Sequence, residues 1–302
     1  MSKKGVSVLR ERPRVKYALI LDHIDQFSIC LMCAVLGVHR SGFYRWRDAP
    51  KSKREARRQE VTELVKDTYE EFEAAYGAPR IAQELNALGH KCSVNFIANI
   101  MQEQGIIARN GKAFNYGGHA LTMHNVADNL LWRDFSTDRP NQKWVTDITY
   151  VWVEKQWLYL ATVMDLFSRK IIGWSLDTNM TEQLITRAMQ MAIDARGVSP
   201  GLIVHSDRGS QYRSNAYVGF LERHNITRSM SRKGNCWDNA VMESFYARLK
   251  VELIYAKNYQ SIDAARSGIF GYIEVFYNRK RRHSANDGVS PVEFEEKAAV
   301  AA

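Results

Sequence analysis

The tightest constraint on the fold lies between residues 144 and 176. Three runs rich in Val, Ile, Tyr, Trp and Thr, 144–153, 157–164 and 169–176, follow one another with gaps of a few residues. Gaps that short leave no room for crossover helices, so the runs are expected to pair as an antiparallel meander. The pattern then changes. Thr181 opens a helical stretch to about Arg196, with Leu184, Ala188 and Met191 inward and Gly197 and Pro200 closing it. GLIVHS (201–206) reads as a buried strand, 215–224 as a helix, ITRSM (226–230) as a short strand and 237–253 as a long helix. Three strands followed by helix and strand alternation predict an α/β domain: a mixed five-stranded sheet flanked by helices.

Three carboxylates stand out on this outline. Asp147 falls inside the first strand, where an aspartate is disfavoured by propensity and desolvation unless something pairs with it. Asp207 comes just after a buried strand, where open α/β sheets present ligand groups. Glu243 sits on the long helix, with 35 residues between it and Asp207, and has Asn239 and Lys250 at i−4 and i+7 on the same face. Carboxylates distant in sequence become a hard-cation site when a fold gathers them. Two such ions can clamp an in-line phosphoryl displacement without a covalent intermediate. Taken singly, each acid also has an ordinary reading, as a paired core residue, a turn and a surface helix residue. Asp165 reads as a turn-shaping residue, Asp238 as a helix cap and His205 as a core histidine. Tyr212 and Trp237 are open between base stacking and core packing. No GxxxxGK loop is present, so ATP use is not indicated.

The net charge of +9 is concentrated at one end: residues 1–58 carry 14 Lys or Arg against 5 Asp or Glu, and the remainder cancels. A basic block of this kind neutralises phosphates. Within it Phe27, Leu31 and Val35 recur at helical spacing after Ser28, Gly37 breaks the run, and a short basic helix follows. That outline is a helix-turn-helix, with Arg40, Ser41, Tyr44 and Arg45 on the reading element. A second unit of the same outline runs from about 60 to 105, with Ile81, Leu85 and Leu88 on one helix and Val94, Ile97, Ile100 and Met101 on the next, capped by Ser93. Residues 59–140 hold 7 basic and 11 acidic residues, so this unit is open between DNA binding and protein contact. At the C-terminus 261–278 is amphipathic, NRKRRH (278–283) is a basic cluster, and Ser290, Pro291 and Glu293 spell a capping box.

No apolar run approaches the length that spans a bilayer, and no signal-peptide core follows the charged start, so a cytoplasmic, nucleoid-associated protein is expected. Four cysteines give no disulfide framework. Cys30 and Cys33 form a CxxC without a second pair at zinc spacing, which reads as two buried thiols on one helix.

The set WVTDITY, HSDRGSQY, SRKGNCWDNAVMESFYARLK, YNRKRRHS and SPVEFE resembles the OrfB transposases of bacterial insertion sequences, whose DDE catalytic domain is similar to retroviral integrase and has a ribonuclease H-like fold. The likeness covers nearly the whole chain. It implies that Asp147, Asp207 and Glu243 bind two Mg²⁺ or Mn²⁺ ions and cleave and join DNA at the element's ends, with Asn239 supporting. It also places Lys250 against DNA near the site. Arg40, Arg45, Arg80, Arg279, Arg281 and Arg282 complete the expected DNA contacts. The implied partners are the terminal repeats and target DNA, other copies of the chain and the product of an upstream reading frame, with no membrane. The expected domains are 1–58, a basic helical segment; 59–107, a second helix-turn-helix-like domain; 108–142, a linker; 143–255, the integrase-like core; and 256–302, a helical extension with the basic cluster. A nuclease that only hydrolyses, and a non-catalytic DNA-binding regulator, are the competing readings.

Overall fold

A computed structural model describes residues 11–48, 52–109, 124–233 and 235–301. Gly111, Gly117 and Gly118 of the expected linker lie outside the described residues. The chain divides into two compact units, residues 1–66 and 67–302.

In the first unit, α1 (Pro13–Asp22), α2 (Ile29–Leu36) and α3 (Arg40–Asp48) enclose Ile20, Cys33, Leu36 and Phe43. Ser28 caps α2, its Oγ accepting from the Leu31 N–H at 3.3 Å, and Gly37 ends it in the left-handed region. Phe27, Leu31 and Val35 are exposed, so that spacing marks the outer face of the helix. Cys33 is buried but Cys30 is exposed, which corrects the expectation of two buried thiols. Helix α4 (Lys53–Glu71) runs across the division between the units.

The second unit holds α5 (Ala78–Ala87) and α6 (Val94–Glu103), which bury Ile81, Leu85, Ile97, Ile100 and Met101. Leu88 lies beyond the last residue of α5 and is exposed, as is Val94 at the first position of α6. Ser93 caps α6 through the Phe96 N–H at 3.2 Å.

The sheet comprises β1 (Lys143–Val153), β2 (Gln156–Asp165), β3 (Ile171–Asp177), β4 (Ile203–Ser206) and β5 (Thr227–Met230), in the order β3-β2-β1-β4-β5. The first three pair antiparallel, and β4 and β5 join parallel to β1. This is the mixed five-stranded sheet of a ribonuclease H-like fold. One face packs on α7 (Glu182–Arg196) and α8 (Asn215–Arg223), through Trp144, Val163, Leu184, Ala188, Tyr217 and Leu221. Gly173 on β3 sets the depth of that packing, since a Cβ there would lie 2.2 Å from the Ala188 carbonyl oxygen. Met191 is exposed, and Met189 and Ala192 take the inward positions of α7. The other face packs on α9 (Ala240–Glu252) and α10 (Ile262–Phe270), through Val145, Met242, Phe245, Leu249, Ile269 and Ile273. Each such aliphatic or aromatic side chain contributes about 1.5–3 kcal/mol by burial.

Helix α10 passes into a π-helical turn, Gly271–Tyr277, which ends at Asn278. The Asn278 amide accepts from the Ile171 N–H at 3.0 Å and donates to the Ile171 carbonyl at 2.9 Å, tying this segment to the edge strand. Ser290 opens α11 (Pro291–Ala301), accepting from the Glu293 N–H at 3.3 Å. No helix among the described residues is long and apolar enough to cross a membrane.

Candidate active site

The parallel register of β1 on β4 brings two of the acids together. Val145 pairs with His205. Two residues further on in each strand direction stand Asp147 and Asp207, at the level where β4 ends. Neighbouring strands run about 4.8 Å apart, and residues two apart share a face, so both acids belong to the face of Val145, which packs on α9. Glu243 lies in the first turn of α9 and is exposed.

Strand β1 is fixed at this point by hydroxyls. The Tyr246 OH of α9 donates to the Asp147 carbonyl oxygen at 2.5 Å and meets Thr162 Oγ1 at 2.8 Å, Thr162 being the residue opposite Asp147 on β2. Tyr212 OH and Thr146 Oγ1 are 3.2 Å apart on the opposite face. Tyr212 is buried in the core, not offered to bases. The Asp147 carboxylate accepts from the Ile148 N–H at 2.8 Å. Asp207 Oδ1 accepts from the Gly209 N–H at 2.8 Å, and a Cβ on Gly209 would stand 2.9 Å from that oxygen.

The electrostatics follow from this gathering of like charge. Loss of hydration and then the Asp207 charge push the Asp147 carboxyl well above its ordinary range; Glu243 adds to the rise, while the Ile148 N–H and Lys250 oppose it. Asp207 is raised by loss of hydration, against the Gly209 N–H and Arg213, and Glu243 is raised by loss of hydration. Asp147 therefore lies within electrostatic reach of both other acids and of Lys250. Among the described residues, no three His, Cys, Asp or Glu groups stand close enough to form a finished metal cage. Asn239, one turn before Glu243, is buried, and neither its Oδ1 nor its Nδ2 has a hydrogen-bond partner among the described residues. Raised acids and an orphaned buried amide fit a hard cation with its water, which would relieve the repulsion and satisfy the amide.

Other residues fall into structural roles. His205 is fully buried between Ser229 Oγ (2.8 Å) and Ser231 Oγ (3.1 Å), and burial lowers its pKa to about 4. Asp165 accepts from the Phe167 and Asn141 N–H groups and shapes the turn after β2. Asp238 does not cap α9. Its buried carboxylate binds Arg232, Arg133 and Asn129 at 2.8–3.0 Å, and the arginine at 232 first of all holds its carboxyl far below the usual range. Trp237 beside it is exposed.

The expected DNA-contacting arginines divide. Arg40 and Arg45 on α3, and Arg279, are exposed. Arg281 is not available: it is buried and gives two 2.8 Å hydrogen bonds to Glu252 on α9. Arg282 pairs with Glu84 on α5 and donates to the Gly288 carbonyl. Arg80 is half-buried over the Tyr76 ring and 3.7 Å from Glu252. The run reads as a DNA contact because the partners of Arg281 and Arg282, Glu252 and Glu84, are far away in sequence. Nothing in the sequence marks the arginines at 133 and 232, and only the fold reveals that Asp238 collects them.

Family profiles described as integrase core domain match residues 137–236 and 243–298, and one described as HTH-like domain matches residues 56–114. The chain is 45% identical over 288 residues to the transposase InsF for insertion sequence IS3A of Escherichia coli (strain K12), covering 94% of this chain and 99% of that protein. It is 38% identical over 266 residues to the insertion element IS600 uncharacterized 31 kDa protein of Shigella sonnei, covering 88% and 98%. Among solved structures, the simian T-cell lymphotropic virus intasome in complex with PP2A regulatory subunit B56 gamma aligns with a TM-score of 0.45 at 15% identity, over 78% of this chain and 73% of that one. The HTLV-2 integrase catalytic core domain in complex with magnesium aligns with a TM-score of 0.40 at 19% identity, over 52% and 97%.

Proposed function

This chain belongs to the transposases of IS3-type insertion sequences, with an integrase core, and we propose that Asp147, Asp207 and Glu243 are the metal-binding carboxylates with which it cleaves and joins DNA. The observation that carries this reading is the parallel register of β1 on β4, which sets half-buried Asp147 and exposed Asp207 at matching positions, with loss of hydration, Asp207 and Glu243 pushing the Asp147 carboxyl up. Lys250 and Arg213 offset only part of this like charge, so the site gains from a cation supplied from outside.

Asp147 and Asp207 are the pre-positioned members, held by strand register and by the Ile148 and Gly209 amides. Glu243 completes the set from α9, where exposure leaves its side chain free to change rotamer toward the two aspartates. Two Mg²⁺ or Mn²⁺ ions held there would activate the attacking oxygen and stabilise the leaving one in an in-line displacement, first by water and then by the freed 3′ hydroxyl. Asn239 offers its amide to that water network, and Lys250 tempers the negative field and meets the DNA backbone. Arg40 and Arg45 on the exposed face of α3 contact DNA from the first unit, and Arg279 from the second. Bridging two element ends calls for more than one copy of the chain, together with the product of an upstream reading frame.

The test is Asp207→Asn, a nearly isosteric change at an exposed position. Mg²⁺-dependent joining of a labelled element end to a target duplex should disappear, with folding and DNA binding retained. Joining that survives the substitution defeats the assignment, and a wild type that nicks but never joins would make the chain a nuclease.

A further inference from the structure

Beside α9, a cavity of about 350 Å³ is lined by four arginines: Arg80, Arg169, Arg248 and Arg281. The Ser244 and Ser284 side chains and His283 complete its polar wall. Among the described residues, the acid that pairs with these cations is Glu252, and it is already engaged. Glu252 accepts two 2.8 Å bonds from Arg281 and one of 2.8 Å from the Tyr272 OH, while Arg80 comes no nearer than 3.7 Å. Arg169 Nη1 is buried with no hydrogen-bond partner among the described residues, and so is His283 Nε2. Burial and the surrounding arginines keep His283 neutral, lowering its pKa to about 3, so it adds a polar nitrogen without adding charge. Guanidinium groups concentrated in this way repel one another and leave donors unspent, and an oxyanion relieves both costs.

We propose that this cavity binds a backbone phosphate of the DNA, with Arg169 and Arg248 as its principal donors and Arg80 and Ser244 assisting. The inference rests on the functional reading above, because the occupant is taken to be the strand on which the three acids act. Helix α9 supplies the connection: Ser244 and Arg248 line the cavity, while Glu243, the residue before Ser244, belongs to the acidic centre. Arg248 lies five residues beyond Glu243, about 7.5 Å along the helix axis, so a strand crossing that centre would meet the cavity next. Of the two, Arg248 is exposed and can meet a phosphate first, and Arg169 is half-buried. Neither arginine belongs to the NRKRRH cluster that draws attention in the sequence.

The experiment uses the full chain and a labelled duplex carrying the element's end, with affinity measured across a salt series for wild type, Arg248→Gln, Arg169→Gln and Arg248→Lys. Each Gln variant should bind about tenfold more weakly, and the slope of log K against log salt should shrink by about 0.9 for the lost phosphate contact. Arg248→Lys should recover the slope but not all of the affinity, since an ammonium keeps the charge without the fork. Arg248→Gln changes an exposed side chain, so its result does not depend on whether Arg169→Gln folds. Unchanged slope and affinity in a folded Arg248→Gln overturn the proposal. A thermal-shift arm with inorganic phosphate separates the two sources of such an anion: stabilisation of wild type but not of Arg169→Gln, with an unchanged DNA slope, would mean a free-phosphate site and overturn the assignment to DNA. Asp207→Asn should leave the slope intact, so an error in the catalytic assignment shows in strand transfer alone and an error here shows in the salt series alone.

Discussion

Helix α9 carries two carboxylates with opposite surroundings. Glu243, in its first turn, is exposed and acts on the charge of Asp147, and both carboxyls are raised, Asp147 by loss of hydration and like charge and Glu243 by loss of hydration. Glu252, at its last residue, is buried with both oxygens taken by Arg281 and one also by the Tyr272 OH. A carboxylate kept for structure arrives with its partners in the same chain, whereas one kept for chemistry is left in need of something from outside. The cost of burying charge is therefore met in different ways at the two ends of thirteen residues of helix. The arginine cavity is the cationic counterpart of the acidic centre, with donors exceeding acceptors.

The difference can be broken first at the acidic centre. Asp147→Asn should lower metal-dependent strand transfer by at least about 10³-fold, the several kcal/mol that a lost metal ligand removes from transition-state stabilisation. The metal-free variant should unfold at the same temperature as wild type or higher, because neutralising Asp147 relieves repulsion. A marked loss of thermal stability would mean that Asp147 is a structural acid and that the contrast fails. Glu252→Gln should behave in the opposite way. It strands Arg281 in the interior and should cost about 3–5 kcal/mol in urea denaturation, with any loss of activity following the loss of folded protein. If Glu252→Gln unfolds like wild type, the pairing with Arg281 is not what holds the C-terminal segment.

Much of this was legible in the residues. Runs of β-branched and aromatic residues gave the five strands to within a few positions, because a strand's periodicity and short loops are local properties. Asp147 drew attention by being an aspartate where strands disfavour one, a local conflict that no neighbouring residue resolved. What could not be read was pairing across the fold. Arg281 and Arg282 look like a phosphate-binding run until Glu252 and Glu84 are brought against them. Asp238 looks like a helix cap until Arg133 arrives from the segment before β1. Arg169, in the turn between β2 and β3, carries no sequence signal and gains its interest from the cavity around it. Partners separated by tens to hundreds of residues are set by tertiary packing, which charge patterning alone does not encode.

Asp238 sharpens the comparison at a smaller scale, since it is close to the acidic centre in sequence yet fully paired. Asp238→Asn weakens the bonds to Arg232 and Arg133 and should cost about 1–3 kcal/mol, with the loop bearing Trp237 loosened and strand transfer reduced less than in Asp147→Asn. Its folded-state pKa lies below the ordinary carboxylate value, so its contribution is complete above that value and is lost as pH falls through the lowered one. The stability gap between wild type and Asp238→Asn should therefore narrow in acid. A constant gap would show that the carboxylate charge is not what the arginines require.

His205 provides the mildest test, because it is adjacent to the acidic centre and yet carries no charge in the fold. Its ring is buried between two serine hydroxyls and its pKa is lowered to about 4 against 6.5 for the free side chain. Between those values the unfolded chain binds a proton that the folded chain refuses, so stability is complete above pH 6.5 and declines as pH falls toward 4. The decline for this one group should reach about 1.4 kcal/mol per pH unit. Subtracting the stability curve of His205→Gln, which keeps a neutral polar side chain, isolates the contribution from the carboxylates that titrate in the same acid range. A difference curve that is flat between pH 6.5 and 4 would mean that the histidine is protonated in the folded state, and its place beside Asp207 would then have to be counted with the charges of the acidic centre instead of with the paired scaffold around it.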